Sequence, residues 1–225
     1  MTDLISELSQ VRLFVGLDQA ALAGIARHAH VRTLARGQVL FTEGEPSEHV
    51  FVVRSGRLRV FVTSPRGDQL VLSVLGPGDS FGELSVLDRQ PRSASVDALD
   101  PAQILALAAA DVRTLLTENS QALMAVAVEL AAGMRRLTGN AADLVLLDLP
   151  RRLAKMLLAS AVPLTAGGAT STLSMNQSGV AAQLGVTRQS FNRALAGLTH
   201  RGWIELDGTR VHIRDVAALR RFADS

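Results

Sequence analysis

The sequence predicts an α+β chain: an N-terminal antiparallel β-sandwich or barrel, one long helix and a C-terminal winged helix-turn-helix. Three observations predict it. Between Val31 and Leu107, short alternating or β-branched runs recur at even spacing, separated by glycine- and proline-rich turns, the pattern of an antiparallel sandwich or barrel. From Asn119 to Leu147 no proline interrupts a regular succession of apolar positions. Near the end, two short helical segments flank Gly185 and a hairpin sequence follows, the element order of a winged reader of DNA.

Composition narrows the function classes. A length of 225 residues suits two domains, and 48% hydrophobic with 20% charged residues supports a buried core. The longest apolar runs, such as Gln103 to Ala110, are too short to cross a bilayer, and Met1-Thr2-Asp3-Leu4 lacks the basic start of a secretory signal. The absence of cysteine excludes disulfides, iron–sulfur clusters, thiolate zinc sites and cysteine nucleophiles. His28, His30, His49, His200 and His212 are scattered, without the spacing of a metal motif. The expectation is a soluble cytoplasmic protein with no membrane partner and no metal. Residues 1–149 carry 13 arginines against 17 acids, net −4, whereas residues 150–225 carry nine arginines and one lysine against four acids, net +6. The basic tail is thus the part suited to a polyanion.

The elements follow in order. Leu4 and Leu8 recur at helical spacing, and Ala20 to Ile25 follows a cap at Asp18. Strands are expected at Val39 to Phe41, Val50 to Val53, Leu58 to Val62, Leu70 to Val74, Ser93 to Val96 and Ile104 to Leu107. Along 119–147, Leu123, Ala127, Leu130, Met134, Leu137, Ala141 and Leu144 alternate spacings of four and three. That seam suits a parallel coiled-coil dimer. An amphipathic helix lying on its own sheet is the alternative, which the strict alternation disfavours. At Asp148-Leu149-Pro150 the pattern resets, with Asp148 as cap and Pro150 in the first turn of a helix reaching Ala161. A loop from Thr165 to Thr172 precedes a helix at Ser178 to Leu184, the turn Gly185-Val186, and a helix capped by Thr187 and running to Leu198. A hairpin over Trp203 to Ile213 has Asp207-Gly208 as its turn signal.

Two clusters carry chemistry. Phe81-Gly82-Glu83-Leu84-Ser85 is followed within ten residues by Pro91-Arg92-Ser93-Ala94-Ser95-Val96. Gly82 permits close backbone approach, and Glu83-Leu84 opens a short helix whose free N–H groups face an anion. Arg92 offers a fork for phosphate oxygens and Ser93 a further donor. Glu83 repels a phosphate unless a sugar hydroxyl donates to it, so the set describes a sugar phosphate. A plain Glu–Arg ion pair tying loop to strand accounts for the same residues equally well. In the tail, Val180, Leu184, Val186, Phe191, Leu195 and Leu198 face inward, while Arg188, Gln189 and Arg193 lie outward near the helix start. Arginine there can fork onto guanine, and glutamine can pair with adenine; an ordinary helical hairpin with a solvated face is the plainer alternative. No nucleophile–base pair accompanies either cluster, so no enzyme is expected.

Gly82-Glu83-Leu84 followed by Pro91-Arg92-Ser93-Ala94 resembles the phosphate-binding cassette of cyclic-nucleotide-binding domains, with Gly37, Gly44, Gly56, Gly67 and Gly78 where that β-roll turns. Leu147 to Ala154, Thr187-Arg188-Gln189-Ser190 and His200-Arg201-Gly202-Trp203-Ile204 resemble the reader of the CRP/FNR superfamily of bacterial transcription regulators, closest to its cyclic-AMP receptor branch. Together they cover nearly the whole chain. The resemblance implies a cyclic-nucleotide-binding β-roll at 1–118, a dimerisation helix at 119–147 and a winged helix-turn-helix at 148–225. It implies that Glu83 holds the ribose 2′-hydroxyl, that Arg92 and Ser93 hold the cyclic phosphate, and that the backbone of Gly82 and Leu84 completes the site. It further implies a homodimer on a pseudo-palindromic duplex, with RNA polymerase as a partner. Leu137 and Thr138 occupy the places from which the family contacts adenine; Leu137 lacks a polar atom, and Thr138 retains one. Arg188 and Arg193 match base-reading arginines, with Gln189 where glutamate is usual and Thr187 at the helix start. Cyclic AMP is the effector expected; a regulator that answers to cyclic GMP, or binds DNA without a cyclic nucleotide, is the alternative.

Overall fold

Continuous apolar runs such as Val50 to Val53 require cover on both faces of a sheet, and the fold supplies it. The structure, a computed structural model, describes residues 2–14, 16–164, 168–173 and 175–225. The chain divides into two units, one formed by residues up to Val62 with Leu72–Arg135, the other by Thr63–Val71 with Arg136–Ser225. Its elements begin with α1 (Thr2–Ser9), a 3-10 turn at Arg12–Phe14, and α2 (Gln19–Ala26). Strands β1 (His30–Leu34), β2 (Val39–Phe41), β3 (His49–Ser55), β4 (Leu58–Thr63), β5 (Gln69–Leu75) and β6 (Ser80–Phe81) follow. Then come α3 (Leu84–Asp88), β7 (Ser95–Ala98), β8 (Ala102–Ala108), α4 (Ala109–Glu118) and the long α5 (Ser120–Leu146).

The strands form two sheets, in the orders β1-β8-β3-β6 and β2-β7-β4-β5. Side chains alternate across β3 and β8. Phe51, Val53, Ile104 and Ala106 point between the sheets, against Leu34, Phe41, Leu58, Phe81 and Val96. Val50, Val52, Leu105 and Leu107 point the other way, beneath α1, α2, α4 and the start of α5. The expected strands are present, but β7 begins two residues later than the Ser93 start, and β1, β6 and α4 are additional to the sequence reading. All five turn glycines have positive φ. At Gly56 a side chain is also excluded by space, since a Cβ would stand 2.4 Å from the Pro101 carbonyl oxygen.

Asn119 caps α5, its Oδ1 accepting from the Ala122 N–H at 3.0 Å. Ala122 and Val126 are buried in the helix-covered core and Leu130 packs against it, which is the amphipathic arrangement. Leu123, Met134, Leu137 and Leu144 stay exposed, at 49%, 66%, 55% and 58%.

The second unit continues with α6 (Leu149–Ala159), β9 (Val162–Pro163), β10 (Ala169–Thr172), α7 (Gln177–Gln183), α8 (Arg188–His200), β11 (Ile204–Asp207), β12 (Arg210–Ile213) and α9 (Val216–Asp224). Asp148 caps α6 as expected, accepting from Arg151 N–H at 3.0 Å, though the helix stops at Ala159. Of the loop expected at 165–172, Ala169–Thr172 is strand β10, paired with β12; the portion 165–167 lies outside the described residues. The hairpin pairs Asp207 with Arg210, so its loop is Gly208-Thr209, one residue beyond the Asp-Gly reading. Leu153, Leu157, Phe191, Leu195, Val211 and Leu219 form the centre of this unit. Trp203 packs on Phe222 of α9, ring centroids 5.2 Å apart, with Arg201 over both rings. No described helix is long and apolar enough to cross a membrane.

Candidate functional site

Between β6 and α3 the chain turns sharply, and Gly82 makes the turn at φ +85°, a conformation that disfavours any side chain. A Cβ there would also meet Arg92 Nη1 at 2.5 Å. Arg92 reaches this point because its own backbone is fixed on both sides: its N–H donates to the Glu45 carbonyl at 2.9 Å, and its carbonyl accepts from Gly44 at 2.8 Å. The side chain then runs inward and is 5% exposed. Nη1 donates to the Gly82 carbonyl at 3.1 Å and Nη2 to the His49 carbonyl at 2.7 Å. The guanidinium lies 4.2 Å from the Phe41 ring centroid and 5.3 Å from that of Phe51, within cation–π range.

Glu83 precedes α3 and does not cap it. Among the described residues no ion pair joins Glu83 to Arg92, so the tie between loop and strand is instead the Arg92–Gly82 hydrogen bond. Glu83 Oε2 and Arg92 Nε are both buried without a hydrogen-bond partner. Burial pushes the Glu83 carboxyl above the usual glutamate range; its own backbone N–H and Arg92 oppose, and Glu129 on α5 adds to the rise. Burial also pulls the Arg92 pKa below its ordinary value, against Glu83 and Glu45. A buried carboxylate and a buried guanidinium with unmatched polar atoms are costly unless something completes them. A hydroxyl-bearing phosphate can donate to such a carboxylate and accept from such a guanidinium.

Gly82, Glu83 and Arg92 are therefore brought together. Leu84 and Ser93 adjoin them in the chain and have exposed side chains. Thr138 is exposed on α5 and belongs to the second unit. The helix opened by Glu83 is five residues long, so the guanidinium is the stronger of the two groups suited to an anion. Sequence reasoning did not single out Phe41, Phe51, His49 or Glu129. His49 enters through a main-chain carbonyl, which residue type cannot reveal; its ring stacks on Phe51 and meets His30 edge-on. Glu129 carried one legible signal, an acid between two apolar seam positions.

In the second unit, Asn176 caps α7 through its Oδ1 and the Gly179 N–H, 2.9 Å apart. Gly185 turns the chain at φ +66°, and Thr187 caps α8 by accepting from Ser190 N–H at 3.2 Å. Val180, Phe191, Leu195 and Leu198 are buried beneath the two helices, so Arg188, Gln189 and Arg193 are left exposed on α8. Arg188 has only a 3.5 Å contact to Gln177 Oε1, and Arg193 a 3.4 Å contact to Ser190 Oγ. Both guanidiniums can exchange these weak contacts for base edges. Thr187 spends its hydroxyl on the cap, which orients the start of the helix.

Two family models match this chain. The cyclic nucleotide-binding domain family matches residues 31–119, and the Crp-like helix-turn-helix domain family matches residues 151–222. The CRP-like cAMP-activated global transcriptional regulator of Mycobacterium tuberculosis is 32% identical over 219 residues, 96% of this chain and 98% of the relative. The cyclic AMP receptor protein of Thermus thermophilus is 32% identical over 215 residues, 94% of this chain and 96% of the relative. Among solved structures, a CRP-family transcriptional regulator from Thermus thermophilus superposes with a TM-score of 0.68 at 28% identity, covering 86% of this chain and 97% of its own.

Proposed function

We infer from the chain's place in the CRP/FNR superfamily of transcription regulators, to which it belongs, that its effector is cyclic AMP and its working form a homodimer. It is a CRP-like, cyclic-nucleotide-binding and DNA-binding transcription regulator rather than an enzyme. The observation that carries this reading is the buried pair of unmatched atoms, Glu83 Oε2 and Arg92 Nε, in a chain whose relatives are named a cAMP-activated regulator and a cyclic AMP receptor protein. On this reading 1–118 is the effector domain, 119–147 the dimerisation helix and 148–225 the DNA reader. Glu83 accepts from the ribose 2′-hydroxyl. Arg92 turns from its carbonyl partners to the cyclic phosphate, Ser93 adds its hydroxyl, and the backbone of Gly82 and Leu84 closes the site. Thr138 supplies the contact to the base. The dimer sets two readers on a pseudo-palindrome with half-sites about 34 Å apart, and it works in the cytoplasm with RNA polymerase. Calorimetry with cyclic AMP and cyclic GMP side by side tests it: tighter binding of cyclic AMP supports the reading, and preference for cyclic GMP or no binding of either rejects it.

Nucleotide affinity is expected to fall as the pH is lowered from neutrality. The Glu83 carboxyl titrates above the usual glutamate range because it is buried. The ionised carboxylate is the stronger acceptor from a hydroxyl, so below its raised pKa tight binding draws off a proton. Proton release, measured by calorimetry in buffers of different ionisation enthalpy, should grow as pH falls and vanish in Glu83→Gln. Affinity that shows no dependence on pH anywhere below neutrality contradicts this role.

Arg188→Ala and Arg193→Ala should each cost about 1–3 kcal/mol on the operator and little on random duplex. Arg220→Ala on α9 should lower both alike. Equal losses from all three variants would assign Arg188 and Arg193 to phosphate positioning.

A second reading, DNA binding with little dependence on nucleotide, is favoured by Leu137, an apolar side chain 55% exposed on α5. Leucine at this place forgoes one ligand-to-helix hydrogen bond, worth about 1 kcal/mol, and extends the apolar stripe. Leu137→Thr should then raise roughly fivefold the ratio of operator affinities with and without cyclic AMP. A parent already silent without ligand and strongly switched by it would remove this second reading.

A further inference from the structure

Two residues, Leu147 and Asp148, separate the end of α5 from the start of α6. Four soft dihedrals in so short a joint would leave the angle between the helices loosely set. The backbone is braced at both ends, since Leu147 N–H donates to the Asp143 carbonyl at 3.0 Å and Arg152 N–H to the Asp148 carbonyl at 3.1 Å. A side-chain brace spans the joint as well. Lys155 Nζ on α6 meets Asp143 Oδ1 on α5 at 2.7 Å, with 40% and 32% of the two side chains exposed. One turn earlier on α6, Arg152 Nη1 donates to the Leu184 carbonyl at 2.9 Å. Leu184 is the last residue before the turn Gly185-Val186, and Thr187 and Arg188 follow that turn. Two separate polar contacts thus tie α6 to α5 and to the turn that presents α8, all within the second unit.

We propose that the Asp143–Lys155 pair is a latch that fixes the angle at the α5–α6 joint, which makes Lys155 a positioning residue for operator recognition. The proposal rests on the reading of α8 as the DNA-contacting helix. Lys155 is the single lysine in a chain with 22 arginines. An ammonium is a compact point charge that meets one carboxylate oxygen at short range, whereas a guanidinium is a planar fork suited to bidentate or phosphate contacts. Arg152 and Lys155 divide the work accordingly, one holding a carbonyl of the reader and the other a carboxylate of the long helix. Loss of either member of the latch frees the joint without touching a base-reading side chain.

The test uses full-length protein carrying Lys155→Met, Asp143→Asn, or the exchanged pair Asp143→Lys with Lys155→Asp. Hydrogen exchange of the Leu147 and Arg152 amides is read on protein alone, because local opening of the joint governs it. Binding to an operator selected by the parent, and to random duplex, is read with and without saturating cyclic AMP. Each single variant should speed the two amides at least fivefold and weaken operator binding at least fivefold, with random-duplex affinity held within twofold. The exchanged pair should recover most of both losses, a result that altered net charge alone does not give. Parent-like amide exchange in both single variants overturns the latch, as does an exchanged pair no better than the singles. Faster exchange with undiminished operator binding overturns its role in positioning. If the parent selects no DNA, the reading of α8 fails, while the amide exchange still decides the latch.

Discussion

Arg92→Ala should lower cyclic-nucleotide affinity by about 1.5–3 kcal/mol, the range for a hydrogen bond to a charged group, or roughly 10- to 150-fold. The guanidinium is the cation whose fork reaches both the turn at Gly82 and the rim at His49. Removing it takes away the phosphate's charge partner and leaves two carbonyls without their donor. The fold feels the change through those carbonyls and through the vacated faces of Phe41 and Phe51, offset in part because a desolvated charge is gone. Binding and stability must therefore be measured separately, by calorimetry and by thermal unfolding. Arg92→Lys retains the charge and loses the fork, so it should bind with intermediate affinity. Nucleotide binding by Arg92→Ala equal to that of the parent would place the pocket elsewhere.

Met134→Glu combined with Leu144→Glu should convert the protein to monomers and abolish specific operator binding. These two side chains are 66% and 58% exposed, and neither belongs to the core of its own unit. Leu130, by contrast, packs on the helix-covered core, and a charge there would damage the fold rather than report on association. Burying each such side chain contributes about 1.5–3 kcal/mol, and symmetry doubles the loss. Operator affinity should fall at least about 10³-fold, to the non-specific level, because one half-site alone lacks the second reader. Sedimentation velocity at micromolar concentration decides it: the variant should run at the 23.9 kDa of a single chain and the parent at twice that mass. A parent that sediments as a monomer, or a variant that remains dimeric, contradicts the seam.

Residue type spoke wherever the side chain or its absence performs the function. Asp18, Asp148 and Thr187 cap α2, α6 and α8 through their own oxygens, and the turn glycines adopt the conformation only glycine favours. Legibility failed where the main chain or the tertiary setting decides. Strand β1 exposes four of its five residues, so no alternation marks it. Helix α4 follows β8 without a break, and its cap residue is Ala108, which has no capping oxygen. The delayed start of β7 has a physical cause, because Arg92 spends its backbone groups on Glu45 and Gly44 rather than on a strand ladder. At the pocket, Glu83 and Arg92 were legible as an acid and a base near a turn. That the fork rests on two carbonyls was not, since any residue at 49 carries a carbonyl.

The packing of Trp203 on Phe222, beneath Arg201, gives the protein a built-in optical reporter. It is the only tryptophan, and there is no tyrosine. Emission excited at the red edge of the indole band therefore arises wholly from the C-terminal unit, while the nucleotide pocket is dark. A nucleotide-induced change in colour or quenching of that emission records a disturbance that has reached the wing, and its time course gives the rate of transmission without a label.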